Sequence, residues 1–161
     1  MMNRLKRIYQ RFTSVNKENP WYGEPLEFIL ATVSFEEAVF LPKGGDRSIS
    51  HYLTHLIQWR KFCLEKIQIG MKENIELNSE EDWPLTLPTT EEEWSDIKAQ
   101  YGALTDKLLE VILGMEDIQL DETVPGKNYT YEFLLEGIID HDLYHFGQIS
   151  FLKRLAESVR D

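Results

Sequence analysis

At 161 residues, 42% of them hydrophobic and 28% charged, the chain is long enough to bury a core without staples and too apolar to be a disordered tail. A formal charge of −11 speaks against nucleic acid, because phosphate binding needs clustered Lys and Arg, and the lone Cys63 leaves no intrachain disulfide. No apolar run approaches the ~20 residues that span a bilayer, and Arg4, Lys6, Arg7 and Arg11 interrupt any signal-like stretch. The expectation is one domain over residues 1–161, cytoplasmic, with Cys63 as a small core residue and no membrane partner.

Residues 1–17 carry five basic side chains and no acidic one, which leaves 12 basic against 28 acidic residues for the rest. The plain reading is a first helix docking on an acidic body. Leu5, Ile8, Tyr9 and Phe12 recur at helical spacing and place that helix over 2–15. The stretch Asn19-Pro20-Trp21-Tyr22-Gly23 breaks it, and Pro25 suits the first turn of a second piece running through Leu26, Ile29, Leu30 and Val33. Residues 41–46 read as a turn.

The next helix covers 48–69, with Ser48 as N-cap and Gly70 as stop. Residues 71–88 hold Pro84, Pro88 and many acids, and form a long loop of the kind that often covers a site. Thr89 with Glu92, or Thr90 with Glu93, supplies a capping box for a helix through Trp94, Tyr101, Leu108 and Ile112 that ends near Gly114. Pro125-Gly126 marks a turn, and the last helix runs from about Thr130 to Ser158. Strand-like alternation is confined to short pieces around 118–124, so the chain is all-α.

The four histidines form two pairs, His51 with His55 and His141 with His145, each at four-residue spacing. On a helix such side chains stand one above the other, close enough for both imidazoles to reach one ion. A helical wheel puts His141 and His145 on the line of Leu134, Ile138 and Leu152, while Glu132, Glu136, Asp140, Ser150 and Arg154 take the opposite face. Imidazoles inside an apolar stripe need partners, and a shared metal satisfies both. His55 falls beside Trp59 and Phe62 and is the better third ligand; His51 lies nearer the polar side and stays as an alternative.

Gln148, one turn after His145, could orient a ligand or hold water at the ion, or bond to backbone within the core. Asp142, on the apolar half, could accept an imidazole N–H or form an ion pair at a surface or interface. These two are the candidates for assisting residues. His141-Asp142-Leu143-Tyr144-His145 differs from the HExxH protease helix by Asp for Glu, and no later ligand follows. A di-iron site is excluded because no Glu stands three residues before a histidine. Three neutral imidazoles suit one divalent ion such as Zn²⁺ or Ni²⁺ and leave a coordination position open.

Trp21-Tyr22-Gly23, Ser48-Ile49, His55-Leu56-Ile57-Gln58-Trp59, Trp83-Pro84 and the terminal run from His141 to Ile149 together resemble the DinB/YfiT-like superfamily of bacterial metalloproteins. The resemblance implies a four-helix bundle with a long loop before the third main helix, and a metal triad on His55, His141 and His145. It also implies a homodimer, a link to stress response, and thiol-dependent transferase chemistry with bacillithiol, mycothiol or glutathione. A metal-dependent enzyme acting on a small molecule, with a low-molecular-weight thiol as co-substrate, is the leading expectation. The rivals are a non-enzymatic dimeric bundle with a structural metal or none, and a carrier of apolar ligands.

Overall fold

The computed structural model describes residues 3–18, 20–85 and 87–159. Met2 and Asn19, expected in the first helix and in the break after it, lie outside the described residues. The described residues form six α-helices: α1 (Arg4–Asn16), α2 (Leu26–Ala31), α3 (Phe35–Val39), α4 (Ile49–Gln68), α5 (Glu91–Gly114) and α6 (Tyr131–Ser158), with a 3-10 turn at Asp117–Asp121. The described residues contain one isolated bridge, Thr123 to Thr130, and no strand. No helix among them is long and apolar enough to cross a membrane.

Local chemistry sets the ends. Asn3 caps α1 by accepting from the Lys6 N–H, and Thr130 caps α6 by accepting from the Phe133 N–H. Of the two capping boxes open to α5, the chain uses Thr90, whose hydroxyl accepts from the Glu93 N–H; the Glu93 carboxylate reaches back to Thr89. Gly70 follows α4 at φ +64°, the left-handed turn that glycine supplies most cheaply at a helix end. The piece expected through Val33 is shorter, because Ser34 opens α3 with its own capping box to Glu37.

The four long helices α1, α4, α5 and α6 form the bundle, with α1 and α4 each packed against both α5 and α6. The basic first helix docks on acid as its composition implies. Arg4, Arg7 and Arg11 face Glu132, Glu136 and Asp140, which are spaced four apart on α6, and Arg4 also grips Asp117 and Asp121 of the 3-10 turn. Exposed pairs are worth about 0.2–1 kcal/mol each, so this ladder sets register more than stability.

Two apolar cores result. One gathers Ile8, Phe12, Phe62, Leu108, Leu135 and Ile139; the other gathers Leu26, Ile49, Leu53, Leu56, Trp94 and Ile149. Between them, along α4 and α6, lies a layer of polar residues that includes Arg60, His55, Asp142 and His145, all buried.

Candidate metal centre

His141 and His145 stand one turn apart on α6, and His55 comes from the first half of α4, which packs alongside. The three rings meet at their Nε2 atoms: His141 Nε2 is 2.9 Å from that of His55 and 3.1 Å from that of His145. The other nitrogen of two rings is already committed. His55 Nδ1 donates to the Asp82 carbonyl at 2.8 Å, and His145 Nδ1 donates to Gln148 Oε1 at 2.6 Å. A neutral imidazole that donates through Nδ1 presents a lone pair at Nε2, so both rings aim lone pairs at the meeting point.

The long loop holds His55 in place, and its anchors begin at Lys66. That ammonium is buried and donates to the carbonyls of Met71, Glu73 and Pro125, pinning the loop to the turn before α6. Farther on, Asn78 takes a left-handed backbone and Asp82 turns inward. Its carboxylate accepts from the Asn78 N–H and from Trp59 Nε1, both at 2.8 Å. Trp83 then stacks on His55, ring centroids 3.8 Å apart and 7° from parallel, and Arg47 caps its ring at 4.5 Å.

Electrostatics keep the cluster neutral. Burial, then the neighbouring His145 and His55, pushes the His141 pKa down to about 3. Burial takes His145 down to about 4, against the opposing bond to Gln148. His55 is lowered by burial too, with Asp82 opposing. Neutral imidazole is the form that ligates metals.

The remaining sequence candidates separate cleanly. Gln148 is brought to the centre, where its amide oxygen orients His145. His51 is not: its Nδ1 accepts from the Ser48 N–H at the start of α4, so it serves as part of the helix cap. The expectation that Asp142 accepts from an imidazole does not hold. One residue along a helix turns a side chain by about 100°. Asp142 therefore points away from His141 into a fully buried node, pairing with Arg60 at 2.9 and 2.8 Å and accepting from Asn16. Arg60 also reaches Asn16 Oδ1 and Tyr101 Oη, so one residue from each bundle helix meets there. Burial opposes the Arg60 charge, and the Asp142 carboxylate more than offsets it, leaving the guanidinium pKa raised. Cys63 is buried with its pKa pushed up to about 12 by burial, as suits a core residue.

Asp82 and the stacking role of Trp83 escape a reading by periodicity, because a loop has none. The signal available was indirect: a long acidic loop next to the histidine helix, with Trp83-Pro84 inside it.

The donor set fits a divalent ion. In tetrahedral coordination at Zn–N about 2.0–2.1 Å, ligand nitrogens lie about 3.3 Å apart. The 2.9 and 3.1 Å separations are a few tenths shorter, within a small outward shift of the rings. Protons alone serve this arrangement poorly. A single Nε2–H on His141 satisfies one facing lone pair and leaves the other, and His141 Nδ1 is itself buried without a partner. Among the described residues no fourth His, Cys or carboxylate joins the group, which leaves room for a non-protein ligand.

A family model described as the DinB superfamily matches residues 24–149, a span that contains all three histidines. A crystal structure of a conserved protein from Enterococcus faecalis is similar over 96% of this chain and 94% of its own, with a TM-score of 0.55 and 20% identity. At that identity the likeness speaks for the fold alone. No curated protein matches the chain.

Proposed function

The chain belongs to the DinB superfamily, and from that premise we propose that His55, His141 and His145 hold one divalent ion, Zn²⁺ or Ni²⁺, in a metal-dependent enzyme acting on a small molecule. The observation that carries this reading is the convergence of three Nε2 atoms, two of them with their Nδ1 protons already given to Asp82 and Gln148. When bound, such an ion supplies Lewis acidity, which makes a neutral water or thiol nucleophilic near neutral pH.

The protein's own residues prepare the site. The Asp82 carbonyl and Gln148 fix two tautomers and ring orientations, a task on which metal affinity depends strongly. Trp83 covers one face of His55 and Trp59 sits edge-on to His141, so the rings turn away from bulk water. The absence of a fourth protein ligand among the described residues favours a working site over a closed structural one. A low-molecular-weight thiol as co-substrate and a homodimeric assembly of a single-domain chain complete the proposal.

The test is elemental analysis of protein purified without a metal-affinity tag, for wild type and His145→Ala. One equivalent of a divalent ion in the wild type, lost in the variant with helical content retained, supports the site and justifies thiol-transfer and hydrolase assays. Wild type that neither carries nor takes up Zn²⁺ or Ni²⁺ refutes it.

A further inference from the structure

Along α6 the residues Phe133, Gly137, His141 and His145 follow one another at four-residue spacing. Side chains so placed share one line of the helix, about 5–6 Å apart at Cβ. Three positions on that line carry rings, and Gly137 is the gap. No neighbour requires the gap, since a Cβ at Gly137 would meet nothing within 4 Å. Glycine in mid-helix weakens the helix relative to alanine, so its presence here is not explained by folding.

The gap opens a cleft of about 190 Å³ that ends on the ring of His141. Trp59, Tyr129 and Phe133 wall it, and their rings are already arranged in pairs: Trp59 meets His141 at 5.6 Å and Tyr129 meets Phe133 at 5.1 Å. Leu134 and Ile138 complete an almost wholly apolar lining. A cavity of about 150 Å³ accepts benzene, so this one has room for a single six-membered ring. A larger groove of about 640 Å³ lies along Tyr22, Phe146 and Arg154, but it touches none of the three clustered histidines.

We propose that this cleft seats a flat apolar ring, an aryl group or its equivalent, on a small molecule whose reacting head lies at the histidine centre. Gly137 is then the position that sets specificity, because any side chain there would stand between Phe133 and His141 in the space the ring takes. The link to the reacting head rests on the metal reading above; the ring site itself does not.

Two measurements separate these parts. First, chelator-treated protein is titrated with benzyl alcohol and followed by NMR at the tryptophan indole N–H signals. Shifts at Trp59 in wild type that vanish in Gly137→Leu support the ring site, and no shift at Trp59 overturns it. Second, Co²⁺-loaded protein, its metal content checked independently, is titrated with benzyl mercaptan and with ethanethiol and read by visible absorption. The ring should tighten binding roughly tenfold or more by the apolar area it buries. Gly137→Leu should erase that advantage at unchanged Co²⁺ content, while Gly137→Ala falls between. Leucine is a better helix former than glycine, so loss of folding is not expected. Equal binding of the two thiols, or an advantage that survives Gly137→Leu, overturns the proposal with the metal reading intact. Failure to take up Co²⁺ at all overturns the metal reading and the link to it, and the benzyl alcohol shifts then decide the ring site alone.

Discussion

Replacing Asp142 by Asn isolates the buried node from the metal centre beside it. The substitution keeps the shape of the side chain and removes its charge. Arg60 is fully buried, its Nε lacks a partner among the described residues, and its one ion pair among them is with Asp142 at 2.8 Å. Breaking such a pair from one side typically costs about 3–5 kcal/mol, because a buried charge is left uncompensated. Against a stability of about 5–15 kcal/mol for an ordinary domain, that is a large share. Urea unfolding followed by circular dichroism should show a lower midpoint with little change in slope, and added salt should not rescue it. The double variant Arg60→Met/Asp142→Leu should recover much of the loss, since well-packed apolar replacements of buried pairs are often neutral or stabilising. Metal content should stay unchanged in the single variant, because the bonds of the Asp142 carboxylate go to Arg60 and Asn16. A loss below about 1 kcal/mol, or a double variant no more stable than the single, would refute the account of the node.

Gln148→Leu removes the acceptor of His145 Nδ1 and should weaken metal binding by about 10–100-fold in a competition titration with a chromophoric chelator. Unchanged affinity would mean the amide does not orient the ring. Hydrogen bonds from Arg4 hold Asp121 below its ordinary pKa of 3.8, and hold Asp117 below it against the opposing effect of burial. Lowered carboxylate pKa values add stability that is present above 3.8 and is lost as pH falls through the folded-state values. Arg4→Gln should therefore flatten the acid limb of a stability profile, and parallel limbs for the two proteins would count against this. Gly126 has φ +73°, and a Cβ there would collide with the Lys72 carbonyl oxygen, whereas at Gly102, within α5, it would meet nothing within 4 Å. Thermal melts should show Gly126→Ala destabilised by at least about 1–2 kcal/mol and Gly102→Ala stabilised by about 0.4–1 kcal/mol; the reverse order would contradict the packing of the turn on the loop.

The four long helices, the helix-end residues Ser48, Gly70 and Thr90, and the docking of a basic first helix on an acidic body were legible in the residues, whereas the short helix opened by Ser34 was not. Helical periodicity, Ser, Thr and Gly at helix ends, and four-residue charge spacing all act through neighbours in the chain. The same locality made His141 and His145 visible as an inward pair on one helix. His55 was separable from His51 by about one residue's rotation. What stayed hidden needed partners distant in sequence. Asp82 lies 27 residues from His55 in a loop without periodicity, and only the folding of that loop over α4 brings its carbonyl to the imidazole. Asp142, on the apolar half of its helix, was open to two readings, an acceptor for an imidazole and an ion pair at a surface or interface. Its true partner is Arg60, 82 residues away. The tertiary structure decided between them, because a buried carboxylate goes to the strongest charge complement its direction allows, and that direction is fixed by the helix rather than by the neighbour in sequence.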